Sequence, residues 1–224
     1  MKREFLITGD GSVTIHLPEW NEQYHSKHGA IAEAQHVFIR AGLNYYSTIF
    51  PDKPISILEI GFGTGLNAFL TLLESEKNKL DVIYTGIEAY PIEAAEISKL
   101  NYAQLISASK EVFLELHHSS WEMALEITSR FSLHKKKMLF SEIKDQNLYN
   151  LIYFDAFGAR VQPDLWTEVI FKQMYDALKN NGVLVTYAAK GSVRRAMQAV
   201  GFIVERLPGP PGKREMLRAQ KKGG

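Results

Sequence analysis

The sequence predicts an α/β protein built on a mostly parallel sheet with helices on both faces. Three observations carry that expectation. From residue 55 onward, β-rich runs alternate with helical stretches of roughly 10–15 residues, the pattern of a parallel sheet with crossover helices. A glycine loop follows the first of those strands, at a strand-to-helix turn where such sheets bind ligands. The last two strand-like runs are joined by a Pro/Gly loop with no helix between them, which calls for an antiparallel hairpin at the sheet edge.

The length of 224 residues suits one large domain with a decoration better than two full domains. Hydrophobic residues at 46% and charged residues at 23% are ordinary globular values and argue against long disorder. There is no cysteine, which excludes disulfides, thiolate zinc sites and cysteine nucleophiles. The apolar stretch Phe5 to Ile7 is too short for a signal-peptide core. No apolar run approaches the roughly 20 residues that span a bilayer, so a soluble cytoplasmic protein is expected.

The elements follow in order. Ser12 to Leu17 alternates after the turn dipeptide Asp10-Gly11, and Pro18 ends it. Ala30 to Leu43 is helical, with Ile31, Ala34, Val37, Phe38 and Ala41 on one face. Pro51 and Pro54 bracket a break, so residues 1–50 read as a small β/helical extension and 51–224 as the main domain. Ile55 to Ile60 is a strand, Gly61 to Gly65 the loop, and Leu66 to Glu74 a helix. Val82 to Ile87 is a strand, with a helix near Ile92 to Leu100. Glu111 to Phe131 is expected to be helical in large part. Leu148 to Phe154 is a strand and Thr167 to Leu178 a helix closed by the turn Asn180-Asn181-Gly182. Val183 to Tyr187, Phe202 to Arg206 and Glu215 to Ala219 are strands, and Ser192 to Val200 is a helix.

Net charge is +1 overall but unevenly spread: the segment from Lys190 onward carries +7 and the rest −6. That asymmetry suits an anionic partner, or it is a solvated basic tail.

Three signals carry chemistry. The first is Glu59-Ile60-Gly61-Phe62-Gly63-Thr64-Gly65. Leu66 stands where a dinucleotide-binding loop needs glycine or alanine, and no Lys-Ser or Lys-Thr makes it a P-loop. Glu59 would repel a pyrophosphate and suits a cationic, amine-bearing ligand. The second is Glu88, at the end of the next strand, where a carboxylate accepts from a ribose diol or is simply a strand-end acid. The third is Phe154-Asp155-Ala156-Phe157 with Pro163-Asp164-Leu165-Trp166. Asp155 can take the proton that a substrate amine loses, or cap the following turn. Phe157 and Trp166 can wall a pocket and stack on a base, or belong to the core. His25 and His28 lie three apart, but no cysteine or paired acid accompanies them, so no metal site is expected.

The glycine loop and Glu88 together resemble the S-adenosylmethionine-dependent methyltransferases of the Rossmann-like class. Further motifs narrow the likeness. Gly11-Ser12 with Thr14, Tyr24-His25-Ser26, Gly29-Ala30, Glu33, His36-Val37-Phe38 and Ala41-Gly42-Leu43 resemble the MnmC-like methyltransferase domain. So do Glu59 to Asn67, Phe154 to Phe157, Pro163 to Trp166 and Lys213-Arg214-Glu215-Met216-Leu217, so the likeness runs from about Gly9 to Leu217.

The resemblance implies a seven-stranded Rossmann-like methyltransferase fold with an antiparallel C-terminal hairpin. It implies S-adenosylmethionine as cofactor, held by Glu59, Gly61, Gly63, Thr64, Gly65, Asn67 and Glu88, with Tyr24, Ser26 and Glu33 closing over it. It implies methyl transfer to the primary amine of 5-aminomethyl-(2-thio)uridine at the tRNA wobble position, with Asp155 as the catalytic acceptor. Phe157 and Trp166 would contact the substrate, and Arg194, Arg195, Lys213 and Arg214 the tRNA. Larger relatives carry an oxidoreductase domain that makes the aminomethyl precursor; this chain ends at Gly224, so a separate enzyme is expected to supply it.

The sequence departs from the family at Gly158-Ala159 and Gln162, and more clearly after Phe131. Relatives often place an acid there against the adenine amine, where this chain reads Lys135-Lys136-Lys137. Two other readings remain open: methyl or aminopropyl transfer to a small free amine, and a catalytically silent tRNA-binding factor. A dinucleotide-dependent oxidoreductase is disfavoured by the loop spacing.

Overall fold

The computed structural model describes residues 2–50 and 54–223. Pro51, one side of the expected break, lies outside the described residues.

The chain opens with a small antiparallel sheet of β1 (Glu4–Ile7), β2 (Val13–Leu17) and β3 (Glu22–Gln23). A continuous helical stretch follows over 30–49: α1 (Ala30–Ala34), a π-helical segment (Gln35–Asn44) and α2 (Tyr45–Ile49). The main sheet then begins with β4 (Ile55–Ile60), α3 (Leu66–Asn78) and β5 (Val82–Ile87). Three short helices come next: α4 (Ala94–Ile97), α5 (Tyr102–Leu105) and α6 (Lys110–His118). The sheet continues with β6 (Ala124–Thr128), β7 (Phe131–Lys136), β8 (Tyr149–Phe154), α7 (Glu168–Ala177) and β9 (Leu178–Thr186). It finishes with α8 (Gly191–Ala199), β10 (Ile203–Pro208) and β11 (Glu215–Gln220).

The sheet order is β10-β11-β9-β8-β4-β5-β7-β6, parallel across the five strands from β9 to β7. β11 runs antiparallel to β9 and to β10, which gives the expected terminal hairpin. Every residue of β8 is buried, as a strand covered on both faces requires. Alternation along it divides the core. Leu151 and Tyr153 face the layer of α3, α6 and the 30–49 helix, while Ile152 and Phe154 face α7 and α8.

Three expectations are corrected. The sheet has eight strands rather than seven, because β6 pairs antiparallel with β7 and forms the edge. Only Lys110–His118 of the segment expected to be helical through Phe131 is helix; β6 and the start of β7 occupy the rest. The turn between those strands, Thr128-Ser129-Arg130, holds no glycine, proline or asparagine, and β6 is largely exposed, so neither turn chemistry nor burial periodicity marks it. Asn180-Asn181-Gly182 lies inside β9 as an irregularity where the register against β8 shifts, with Asn181 at φ 64°.

The first 50 residues play two parts. Val37, Phe38, Ile39, Leu43 and Tyr46 of the long helix belong to the same core as the sheet. The small β-sheet and the loop after it lean over the carboxyl ends of β4, β5 and β8. β5 lies on one side of β4 and β8 on the other, which makes the crevice between β4 and β8 the switch point where ligands bind in such sheets.

Candidate functional site

A cavity of about 820 Å³ opens at that crevice. Gly61, Gly63, Thr64 and Asn67 from the glycine turn line it, with Glu88 after β5, Asp155 and Phe157 after β8, and Tyr24 from the N-terminal loop.

The glycine turn is built so that backbone approaches backbone. Gly61 has φ 90°, and a Cβ there would lie 2.8 Å from the Asp155 carbonyl oxygen. Gly63 has φ 48°, and a Cβ there would lie 3.2 Å from the Tyr24 ring. Tyr24 thus covers the turn at a distance that a larger residue would not allow. The Gly63 N–H donates to the Glu88 carboxylate at 3.0 Å, and the Tyr90 N–H donates to its other oxygen at 2.9 Å.

Glu59 does not reach the wall. It is fully buried behind the cavity, and burial pushes its carboxyl well above the usual range. Asn67, in the first turn of α3, links it to Asp155 on the cavity wall. Its amide donates to Glu59 at 2.9 Å and to Asp155 at 2.8 Å. Glu59 Oε2 and Asn67 Oδ1 are buried with no partner. Glu59 lies beside the Tyr84 hydroxyl, whereas Asn67 lines the cavity, where a ligand's ammonium would supply the donor that its Oδ1 lacks.

Asp155 is raised to about 7, first by burial, then by the charge of Glu33; the Asn67 hydrogen bond and Lys213 work in the other direction. A carboxyl that titrates near neutrality is suited to accepting a proton. Asn67 occupies Oδ2, which leaves Oδ1 for that proton.

The aromatic side of the cavity is Trp20, Tyr24 and Phe157. Phe157 stands edge-on to Tyr24 at 5.1 Å and to Trp20 at 5.7 Å between ring centres. Trp166 is elsewhere: it is 5% exposed, packs on Phe154 and Phe171, and donates from Nε1 to the Phe157 carbonyl at 2.8 Å. It therefore positions Phe157 and does not face the cavity.

Ser26 and Glu33 also lie off the wall. The Ser26 N–H donates to Glu33 at 3.0 Å, and Glu33 is buried in an ion pair with Lys213. Lys213 is consequently turned inward and is not displayed at a loop tip. Arg214 shares a second cavity of about 590 Å³ with Arg160 and Lys190 beside Tyr187. Arg195 is exposed on α8, and Arg194 is half-buried there. Gly65 caps α3 from behind the wall, at φ 69°.

Several wall residues were missed in the sequence. Tyr187 ends β9 and donates to the Ala156 carbonyl at 2.8 Å; its place at a strand's carboxyl end was the available signal. His25 sits between Thr14, at 3.0 Å, and Thr64, at 3.4 Å, and burial lowers it to about 4, so the ring is neutral. Arg3 reaches from before β1 to Glu96 and to the Tyr90 carbonyl, tying down the loop that carries Glu88. No sequence pattern marks Arg3. Where relatives place an acid, the wall is Lys137, Leu139, Phe140 and Ser141.

Comparison with known proteins accords with this geometry. The profile of a family described as S-adenosyl-L-methionine-dependent methyltransferase matches residues 93–222. A tRNA 5-methylaminomethyl-2-thiouridine biosynthesis bifunctional protein MnmC from Hydrogenovibrio crunogenus is 30% identical over 211 residues, 88% of this chain and 31% of that protein. The protein of the same description from Leptospira interrogans is 26% identical over 223 residues, 95% of this chain and 34% of that protein. The chain thus spans about a third of the length of these curated relatives. The crystal structure of MNMC2 from Aquifex aeolicus superposes with a TM-score of 0.82 at 27% identity, covering 100% of this chain and 71% of that one. Spermidine synthase from Thermotoga maritima shares the fold, with a TM-score of 0.59 at 16% identity over 99% of this chain and 69% of that one. Its profile match, running over more than half of its length and joined to a glycine turn, a strand-end acid and a terminal hairpin, makes this chain a member of the S-adenosyl-L-methionine-dependent methyltransferase family.

Proposed function

We propose that the protein transfers a methyl group from S-adenosylmethionine to the primary amine of 5-aminomethyl-(2-thio)uridine at the wobble position of tRNA. The observation that carries this reading is Asp155: a carboxyl raised to about 7, with one oxygen held by Asn67, on the wall of an aromatic-lined cavity.

The cavity's groups fit the cofactor. Gly61 and Gly63 allow close backbone approach, and the unpartnered Asn67 Oδ1 on the cavity wall suits its ammonium. Glu88 suits its ribose hydroxyls. When bound, S-adenosylmethionine supplies an electrophilic methyl group on a sulfonium.

The protein's remaining task is to place a neutral amine against that methyl and to remove a proton. The amine nitrogen would form the new N–C bond as the methyl–sulfur bond breaks, the bonding pair staying on sulfur in the S-adenosylhomocysteine that leaves, and the proton that the amine sheds passes to Asp155. Trp20, Tyr24 and Phe157 form the wall on which a uracil ring would stack. The relatives named for 5-methylaminomethyl-2-thiouridine biosynthesis in tRNA support the choice of acceptor. A separate activity that builds the aminomethyl group would supply the substrate.

Nucleoside mass spectrometry tests the reading. Protein and S-adenosylmethionine are incubated with tRNA that carries 5-aminomethyl uridines. The expected result is a gain of one methyl on that nucleoside alone. Methylation of free polyamines with none on tRNA would replace this reading with a small-amine transferase. Cofactor binding without any transfer would replace it with a silent tRNA-binding factor.

A further inference from the structure

The ion pair between Glu33 and Lys213 has no role in the chemistry described so far. It joins distant parts of the chain, α1 and the loop between β10 and β11. Both partners are set apart from surface ion pairs, since the Glu33 side chain is 8% exposed and that of Lys213 31%. Glu33 is further fixed by the Ser26 N–H at 3.0 Å. The Lys213 ammonium lies 3.8 Å from the centre of the Tyr187 ring, a cation–π contact. Tyr187 in turn donates to the carbonyl of Ala156, the residue after Asp155.

We propose that Glu33 and Lys213 are positioning residues for the transfer step: Glu33 holds Lys213 against Tyr187, and Tyr187 holds the Asp155–Phe157 turn that presents the proton acceptor.

The contacts form one uninterrupted chain: Ser26 backbone, Glu33, Lys213, Tyr187, Ala156 carbonyl, Asp155. The links are a hydrogen bond, an ion pair, a cation–π contact and a hydrogen bond to the residue next to Asp155, so the turn after β8 is tied to both the N-terminal helix and the C-terminal hairpin. The loop bearing Lys213 is itself secured to the helix, because His36 Nε2 lies 2.8 Å from the Pro208 carbonyl.

The pair also sets the charge around Asp155. Glu33 and Lys213 act on it in opposite senses. The other titratable groups coupled to it are Glu59, fully buried across Asn67, and the hydroxyls of Tyr84 and Tyr187, which burial keeps protonated. Lys213 is therefore the one cation coupled to Asp155 among the described residues. Its loss leaves the charge of Glu33 acting on Asp155 without the opposing charge of Lys213. This assignment differs from a phosphate contact for Lys213 and from a cofactor contact for Glu33.

The inference rests on the reading of Asp155 as the proton acceptor, so its test does not depend on which substrate is methylated. The carboxyl resonance of Asp155 is followed by carbon-13 NMR against pH in the substrate-free protein, with Asp155→Asn as the assignment control. In Lys213→Met the midpoint is expected to rise by about one pH unit, and in Glu33→Gln to fall by about as much. The double variant Glu33→Gln/Lys213→Met is expected close to wild type. If Lys213→Met, with Glu33 buried and unpaired, does not fold, Glu33→Gln alone carries the test. Restoration by Lys213→Arg would support the charge as the operative feature. Midpoints unchanged in the folded single variants would overturn the proposal. So would unchanged midpoints with a loss of tRNA affinity that shrinks as salt rises, which would return Lys213 to the role of phosphate contact. Absence of tRNA methylation by the wild type would count against the substrate reading and leave these titrations interpretable.

Discussion

The amide of Asn67 donates to Asp155 at 2.8 Å, from the first turn of α3 to the carboxyl end of β8. Its second hydrogen goes to Glu59 at 2.9 Å, so one side chain bridges two buried acids. Asn67→Leu removes the bond that holds the Asp155 carboxyl down. More of Asp155 is then protonated at pH 7, and the rate there is expected to fall about five- to tenfold. The loss should shrink at higher pH, as a rate profile between pH 6 and 9 would display. A loss independent of pH would mean that Asn67 acts only through cofactor binding.

Glu88 accepts from the Gly63 and Tyr90 N–H groups, so its carboxylate is already aimed into the cavity. Glu88→Ala is expected to weaken S-adenosylmethionine binding by about tenfold or more, the usual scale for hydrogen bonds to a charged group. Isothermal titration calorimetry measures this directly. Unchanged affinity with an intact fold would remove Glu88 from the ribose site.

Asp155 binds its proton more tightly in the folded chain than in the unfolded one, where an aspartate titrates near 4. Its contribution to stability is therefore present at acid pH and is lost as pH rises through about 7. A neutral isostere avoids the loss. Asp155→Asn is expected to raise the melting temperature above pH 7 by about 2–4 °C, the effect of 1 kcal/mol in a chain of this size. No difference should remain near pH 4. Thermal denaturation at both pH values gives the comparison, and a destabilised variant at pH 8 would contradict the burial argument.

Arg214 and Lys190 face the second cavity beside Tyr187, and among the described residues no acid pairs with either. If RNA phosphates lie there, Arg214→Ala should lower the slope of log affinity against log salt by about one, uniformly across tRNA sequences. Arg218, paired with Glu205 at 2.7 Å, should leave that slope unchanged when replaced. Equal effects at the two positions would place the RNA elsewhere.

The parts of this protein that sequence marked well are those governed by local rules. β4 and β5 run over the expected residues because their apolar runs are bounded by loop signals on both sides. The glycine turn, Glu88, Asp155 and Phe157 were legible because they stand at carboxyl ends of parallel strands, and the fold gathers them into one cavity. What escaped depends on tertiary placement. β6 is an exposed edge strand entered through Glu122 at φ 65°, a conformation that glutamate does not advertise. Trp166 is an aromatic beside the site whose indole turns into the α7–β8 core, and only packing decides that. Lys213 reads as one cation of a basic tail until the hairpin brings it beside Glu33, 180 residues earlier in the chain. Net charge counts such a residue and says nothing of its direction.

The central claim is that Asp155 accepts the proton of the amine being methylated. Single-turnover methyl transfer to tRNA bearing 5-aminomethyl uridine, measured between pH 5.5 and 9 for wild type and Asp155→Asn, tests it most directly. The wild-type rate is expected to fall on the acid side with a midpoint near 7. The variant is expected to bind S-adenosylmethionine normally yet to be slower by about 10²-fold or more, without that midpoint. A variant that keeps both the wild-type rate and the acid limb would contradict it.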